Sequence, residues 1–360
     1  MDAISAEWLE RLPAAREWLV TAHNTTNADH THAPQSAPAG VIARGELHLL
    51  AGEGGAGKGR WVTQVALGIA ASEQPIGPVP SNANARESSL GVRINHSRGK
   101  VLLLLGEDDA IEVQRRVFGA MHEESWSEPA KMAIERRLRW RSFRGEDFRL
   151  VTVSRDGSVS PSQSVCQLQD YLEYDSGTDG WSLIVIDPLA RFLGAGDEND
   201  NAAMHAAAAQ IEKLCDAPGR PAVLLVAHTR KPADGKNALT QHDVRGASAV
   251  VNAARLVMTL QPFNKTIAES ESEIARERKT TDDQPAFANV TLMQVVKNNL
   301  SIKATPVPLV FGAHGGLRRV NVSERDERWR PHPTAGKKVL TNKSRKRSSS
   351  SQKVSAGDDA

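Results

Sequence analysis

The stretch LHLLAGEGGAGKGRWVTQVALGIA, residues 47–70, changes its hydrophobic period part-way along. Leu47 to Ala51 is a short, nearly unbroken apolar run, as expected of a strand covered on both faces. Val62, Val65, Ala66, Ile69 and Ala70 then recur at helical spacing and share one face. Between them lies GEGGAGKG, Gly52 to Gly59, which matches the G-x-x-x-x-G-K pattern of a phosphate-binding loop in the strand-to-helix context that pattern requires. Glycines let the backbone turn its N–H groups inward, the helix N-terminus adds positive partial charge, and a lysine at position 58 can reach the β and γ oxygens of a nucleotide. Gly52, Gly54, Gly55, Ala56, Gly57, Lys58, Gly59 and Arg60 are therefore the candidate nucleotide-binding residues. A plain strand-to-helix turn is the competing reading, and it leaves the lysine unexplained. Gly59 departs from the pattern, because Ser or Thr usually stands there and gives Mg²⁺ a hydroxyl ligand. Adenylate-kinase-like loops also read Gly-Lys-Gly but continue with Thr, where this chain has Arg60. The metal is then expected to depend on other ligands and water, with a non-hydrolysing binder as the alternative.

Outward from the loop, the apolar runs Val101 to Leu105, Leu183 to Ile186 and Ala222 to Ala227 alternate with helical periodicity. This is the signature of an α/β fold with a mostly parallel central sheet flanked by helices. Arg255 to Leu260, Asn289 to Val296 and Pro306 to Phe311 read as late strands, the second with antiparallel alternation. Each core run ends in polar residues, at the edge where open α/β sheets bind ligands. Asp187 follows Leu183 to Ile186 and is the candidate magnesium carboxylate, against the simpler reading of an Asp capping the turn before Pro188. Gly106-Glu107-Asp108-Asp109 follows another run. Glu107 is the candidate general base for the attacking water, and Asp108 and Asp109 are expected to cap the next helix. The competing reading has all three acids capping. His228 ends the Ala222 to Ala227 run, as a γ-phosphate sensor or as a structural histidine.

The charge totals nearly cancel, at +2, so no overall field selects nucleic acid or membrane. Cys166 and Cys215 lie far apart without a CxxC or Cys/His cluster, which argues against a disulfide framework or zinc site. No secretory leader and no run of about 18 apolar residues occurs, so a cytoplasmic protein with no membrane association is expected. Residues 1–40 read as an arm and linker, with a short amphipathic helix around Ile4 to Val20 and a polar tract whose His23, His30 and His32 carry no assigned function. The α/β core is placed at 41–322. Two polar stretches, IGPVPSNANARESSLGVRINHSRG and KTIAESESEIARERKTTDDQPAF, read as too polar to bury, and 323–360 reads as a basic, disordered tail.

GEGGAGKG, LLLLGEDDAIEVQRRV, LIVIDPLARFLGAGDENDN, LLVAHTRK and VRGASAVVNAARLVMTL resemble, in order and spacing, the RecA-superfamily ATPases of the RepA type, the hexameric replicative helicases of plasmids and phages. The resemblance covers roughly Val41 to Asn321. It implies a RecA-like P-loop NTPase core, ATP and Mg²⁺ as cofactors, a homo-oligomeric ring with ATP at each interface, and single-stranded DNA in the channel. By motif position Lys58, Glu107, Asp187 and His228 inherit the nucleotide and catalytic roles given above. Arg245 is similar to the family's arginine finger, with an ordinary loop arginine as the alternative. Val295-Val296-Lys297-Asn298-Asn299 resembles a RecA stretch whose lysines act across the interface. Asn299 replaces the second lysine, so Lys297 alone inherits that role. A regulatory or DNA-binding ATPase that never unwinds DNA shares every one of these motifs. A small-molecule kinase is suggested only by Gly-Lys-Gly and lacks a substrate lid.

Overall fold

The computed structural model describes residues 16–22, 39–72, 86–95, 97–156, 158–193, 201–229, 239–244, 248–262, 290–304 and 306–319. Among the described residues, nine strands form the main sheet. β3 (Leu47–Gly52), β6 (Lys100–Leu105), β7 (Leu138–Ser142), β10 (Trp181–Asp187), β11 (Ala222–His228) and β12 (Leu256–Pro262) run parallel; β13 (Val290–Asn298), β14 (Val307–Phe311) and β15 (Leu317–Arg319) continue the sheet antiparallel. Their order is β15-β14-β13-β12-β3-β11-β10-β6-β7. This is the expected α/β architecture, with a mostly parallel centre and late antiparallel strands.

The central runs are apolar at nearly every position because both faces are covered. Leu50, Leu103, Leu105, Leu183, Val185, Leu224 and Val226 point into one cluster, while Leu49, Leu102, Leu104, Ile184, Ile186, Val223 and Leu225 point into the other. The strict alternation follows from the two-residue period of a strand. Helix α1 (Lys58–Ala71) packs on the first face through Trp61, Val62, Val65, Ala66 and Ile69. Helices α2 (Ala110–Glu123) and α3 (Glu128–Arg137) lie beside it. The opposite face is covered by α4 (Gln163–Tyr174), α5 (Asn201–Leu214) and α6 (Ser248–Ala253), which supply Leu168, Leu172, Met204, Ile211 and Val250.

Two sequence expectations need correction. Trp18–Ala22 lies in the stretch read partly as helix, yet it is strand β1, with Leu19 and Val20 fully buried. Its partners are β2 (Gly40–Ala43) and β5 (Val92–Ile94), and β4 (Arg86–Glu87) completes a small antiparallel sheet over α1. The stretch containing β4 and β5 was read as too polar to bury, but Leu90, Val92 and Ile94 are all in the core. Alternation of Val92 and Ile94 about Arg93 was the available signal; it was hidden because the surrounding residues are polar. Gly68 of α1 permits this layer to approach, since a Cβ there would lie 3.0 Å from the Ile94 side chain. The second polar stretch, the histidine tract and the basic tail lie outside the described residues.

Among the described residues no helix is long and apolar enough to cross a membrane. Cys166 is exposed and Cys215 buried, both as free thiols.

Candidate nucleotide site

The loop between β3 and α1 is built by close approach and by left-handed turns. Gly52 is pressed against β12, where a Cβ would fall 2.3 Å from the Leu260 carbonyl oxygen. Gly55 and Gly57 have φ of 79° and 92°, conformations that side chains other than glycine's rarely adopt. Built side chains at Gly54 and Gly55 would meet nothing within 4 Å, so the loop presents its backbone to open space. Helix α1 starts at Lys58 with no side-chain cap and no acid in its first turn, leaving N–H groups and positive partial charge available to an anion. Lys58 is only 7% exposed, and its Nζ donates to the carbonyls of Gly52 at 2.8 Å and Glu53 at 2.7 Å. Burial pulls its ammonium below lysine's usual range, opposed by the charges of Asp187, Glu107 and Glu53.

Strand register gathers the polar ends. His228 pairs with Gly52 across β11 and β3, and Asp187 pairs with Leu105 across β10 and β6. The Gly106 N–H donates to the Asp187 carbonyl at 2.8 Å, which brings the Glu107 turn beside Asp187. Glu107 is exposed at this edge. Burial pushes the Asp187 carboxyl up to about 6; Arg116 opposes the rise and Asp108 adds to it.

Asp109 is the N-cap of α2, its carboxylate accepting from the Glu112 N–H at 2.9 Å, as expected. Asp108 does not cap. It takes the guanidinium of Arg116, with Nη2 donating to Oδ1 at 2.7 Å and Nη1 ion-paired with Oδ2 at 2.5 Å. Burial raises the Asp108 carboxyl and Arg116 lowers it. Sequence reasoning missed Arg116. The available signal was its spacing of four from Glu112, which puts the pair on one helix face, with Nε to Oε1 at 3.5 Å.

Residues 9–234 match the AAA domain family. The chain belongs to this family. No curated protein matches it. The structure called "ATPase Domain of G40P" is similar at 12% sequence identity and a TM-score of 0.45, over 78% of this chain and 86% of that one. The AAA domain match begins before β1 and stops before β12, so β12, which flanks β3, and β13 to β15, which continue the sheet from it, lie beyond the match.

Membership of the AAA domain family implies nucleotide binding, usually with Mg²⁺. The residues present fit both. Open space beside Gly54 and Gly55 and the buried Lys58 ammonium suit phosphate, and the Asp187 carboxylate is a hard oxygen donor. Among the described residues no group of three or more His, Cys, Asp or Glu is placed to hold a metal ion on its own. Mg²⁺ commonly takes one or two carboxylates together with substrate phosphates and water.

Three other candidates sit differently. Arg60 donates from Nη1 to the Gly315 carbonyl at 2.7 Å, in the turn between β14 and β15. Lys297 donates to the carbonyls of Val251 at 2.8 Å and Asn252 at 3.1 Å, placing its cation at the end of α6. Arg245 lies outside the described residues.

The raised Asp187 carboxyl has a stability consequence. Its protonated form is favoured in the folded chain, so its contribution is fully present below about pH 4, the unfolded value, and is lost as pH rises through about 6. Asp187→Asn, a neutral isostere, should therefore raise the melting temperature of nucleotide-free protein at pH 8, with the difference vanishing near pH 4. Equal melting shifts at both pH values would contradict this.

Proposed function

We propose that this chain hydrolyses ATP and is a RecA-like helicase or translocase of the RepA type, working on single-stranded DNA in plasmid or phage replication. The ATPase reading is carried by one observation: strand register sets His228 opposite Gly52 and Asp187 opposite Leu105, so that Lys58, Glu107, Asp187 and His228 share one sheet edge. The helicase step is supported by the order and spacing of the motifs. In this reading the Gly52 to Gly59 backbone and Lys58 hold the phosphates, and Glu107 orients and deprotonates the attacking water. His228 donates to the γ-phosphate and reports its presence. Asp187 would hold Mg²⁺, which would supply charge neutralisation on the phosphate oxygens. Arg60 adjoins the nucleotide as part of the loop, Lys297 acts across the interface of an oligomeric ring, and Arg245 enters a neighbour's site to stabilise transferring charge. The ATPase core runs to about residue 322 and includes β1, the basic tail follows it, and the protein is cytoplasmic.

The test is ATP hydrolysis with and without single-stranded DNA, together with fork unwinding. Hydrolysis should rise with DNA, and Glu107→Gln should lower turnover by about 10²- to 10⁴-fold, the usual worth of a general base, while nucleotide binding persists. Hydrolysis without unwinding removes the helicase step and leaves a regulatory ATPase; binding without hydrolysis leaves a nucleotide-controlled binder. Mixing inactive Arg245→Ala with Lys58→Ala protein should restore turnover, and no recovery at any ratio argues against Arg245 acting between subunits.

A further inference from the structure

One cation beside the loop is unused by the roles above. Arg116, on the second turn of α2, lays its guanidinium over Gly59: a Cβ built there would lie 2.2 Å from Nη1 and 2.7 Å from Cζ. The same group forks onto Asp108, at 2.5 Å and 2.7 Å, and its Nη1 stands 3.7 Å from Oδ2 of Asp187. Glu112 braces Nε. The Arg116 side chain is 18% exposed and that of Asp187 13%, so the pair is shielded from bulk water. A side chain at position 59 would have to push this guanidinium from its seat. The glycine that the phosphate-loop pattern leaves unexplained is the complement of Arg116.

We infer that Arg116 is a resident cation of the phosphate site, seated over Gly59 and aimed by Asp108, that takes over part of the charge a metal held by a loop hydroxyl would supply. The inference rests on the nucleotide reading above. Arginine suits the task, being permanently charged and able to fork onto phosphate oxygens. Phosphates in the loop then face two cations, Lys58 and Arg116. A divalent ion reaching Asp187 must share that carboxylate with a positive charge already near it. Nucleotide affinity in this chain therefore depends weakly on Mg²⁺, and Arg116 is the reason.

The experiment titrates full-length protein with a fluorescent, non-hydrolysable ATP analogue in Mg²⁺ and in EDTA. Wild-type affinity should change by about threefold or less between the two, and Arg116→Ala should lose about tenfold or more in EDTA but little in Mg²⁺, as expected for one charge-assisted contact. Gly59→Ser should lose affinity in EDTA in the same direction as Arg116→Ala, because its Cβ pushes the guanidinium from its seat. The double variant should be no worse than either single one, since both remove the same contact. Arg116→Lys should recover part of the EDTA affinity. An Arg116→Ala loss that is equal in both conditions would mean a structural role and overturn the inference, as would no loss in either. If Arg116→Ala does not fold, Gly59→Ser and Arg116→Lys carry the same comparison. Wild-type protein that binds the analogue in neither condition removes the nucleotide reading itself; wild-type binding with a strong Mg²⁺ requirement that Arg116→Ala leaves unchanged overturns this inference alone.

Discussion

Lys58→Ala is expected to cut ATP turnover by about 10²- to 10³-fold or more, the usual cost of removing one preorganised group from a phosphoryl clamp. The folded structure gives the reason. Lys58 is nearly buried, and it is fixed between the carbonyls of Gly52 and Glu53 before any ligand is present. Its cation is thus in place at little reorganisation cost. Burial destabilises that charge, while Asp187 and Glu107 restore part of it. An anionic phosphate would compensate it further, so the lysine gains more from the ligand than an exposed one could. Removing the side chain leaves α1 and its packing through Trp61 and Val65 untouched, so the variant should melt close to wild type. Steady-state phosphate release and analogue titration check both halves. Turnover within about threefold of wild type would remove Lys58 from the chemistry.

The largest stability effect is expected at the opposite end of the Asp187 strand. Trp181 opens β10, is fully buried, and donates from Nε1 to the Leu172 carbonyl of α4 at 2.8 Å. Its backbone N–H donates to Pro218 at 2.7 Å, and its ring lies 5.9 Å from that of Tyr171. Trp181→Ala should cost about 3–5 kcal/mol, from lost burial and the cavity left behind. Tyr174→Ala, at a side chain 89% exposed on the same helix, should stay within about 0.5 kcal/mol of wild type. Urea unfolding followed by circular dichroism measures the two. Because Asp187 lies a full strand away, the nucleotide affinity of the Trp181 variant should persist wherever it remains folded. A cost below about 1 kcal/mol would mean that the neighbouring side chains collapse into the space.

The contrast between residues that sequence could place and those it could not has a physical basis. Strands β3, β6, β10 and β11 were readable because sheets buried on both faces demand continuous apolar runs, and a short run is a local property. The phosphate loop was readable for the same reason: glycine conformation, lysine position and the following helix are set within a few residues. β1 and β5 escaped because each pairs with a strand distant in sequence, and their burial depends on α1 lying beneath them. Asp108 looked like a helix cap because caps are local, whereas its partner, Arg116, stands eight residues along the chain.

The sequence by itself determined the α/β class, the loop from Gly52 to Lys58 and the acids that end the core strands, since period and spacing are written in neighbouring residues. Tertiary structure decided the order in which the strands meet, and hence the pairing of His228 with Gly52 and of Asp187 with Leu105. It also gave Gly59 its meaning. Read alone, that residue was a missing hydroxyl; in the fold it is the room that the Arg116 guanidinium fills, because side chains remote in sequence exclude one another only once packing brings them together.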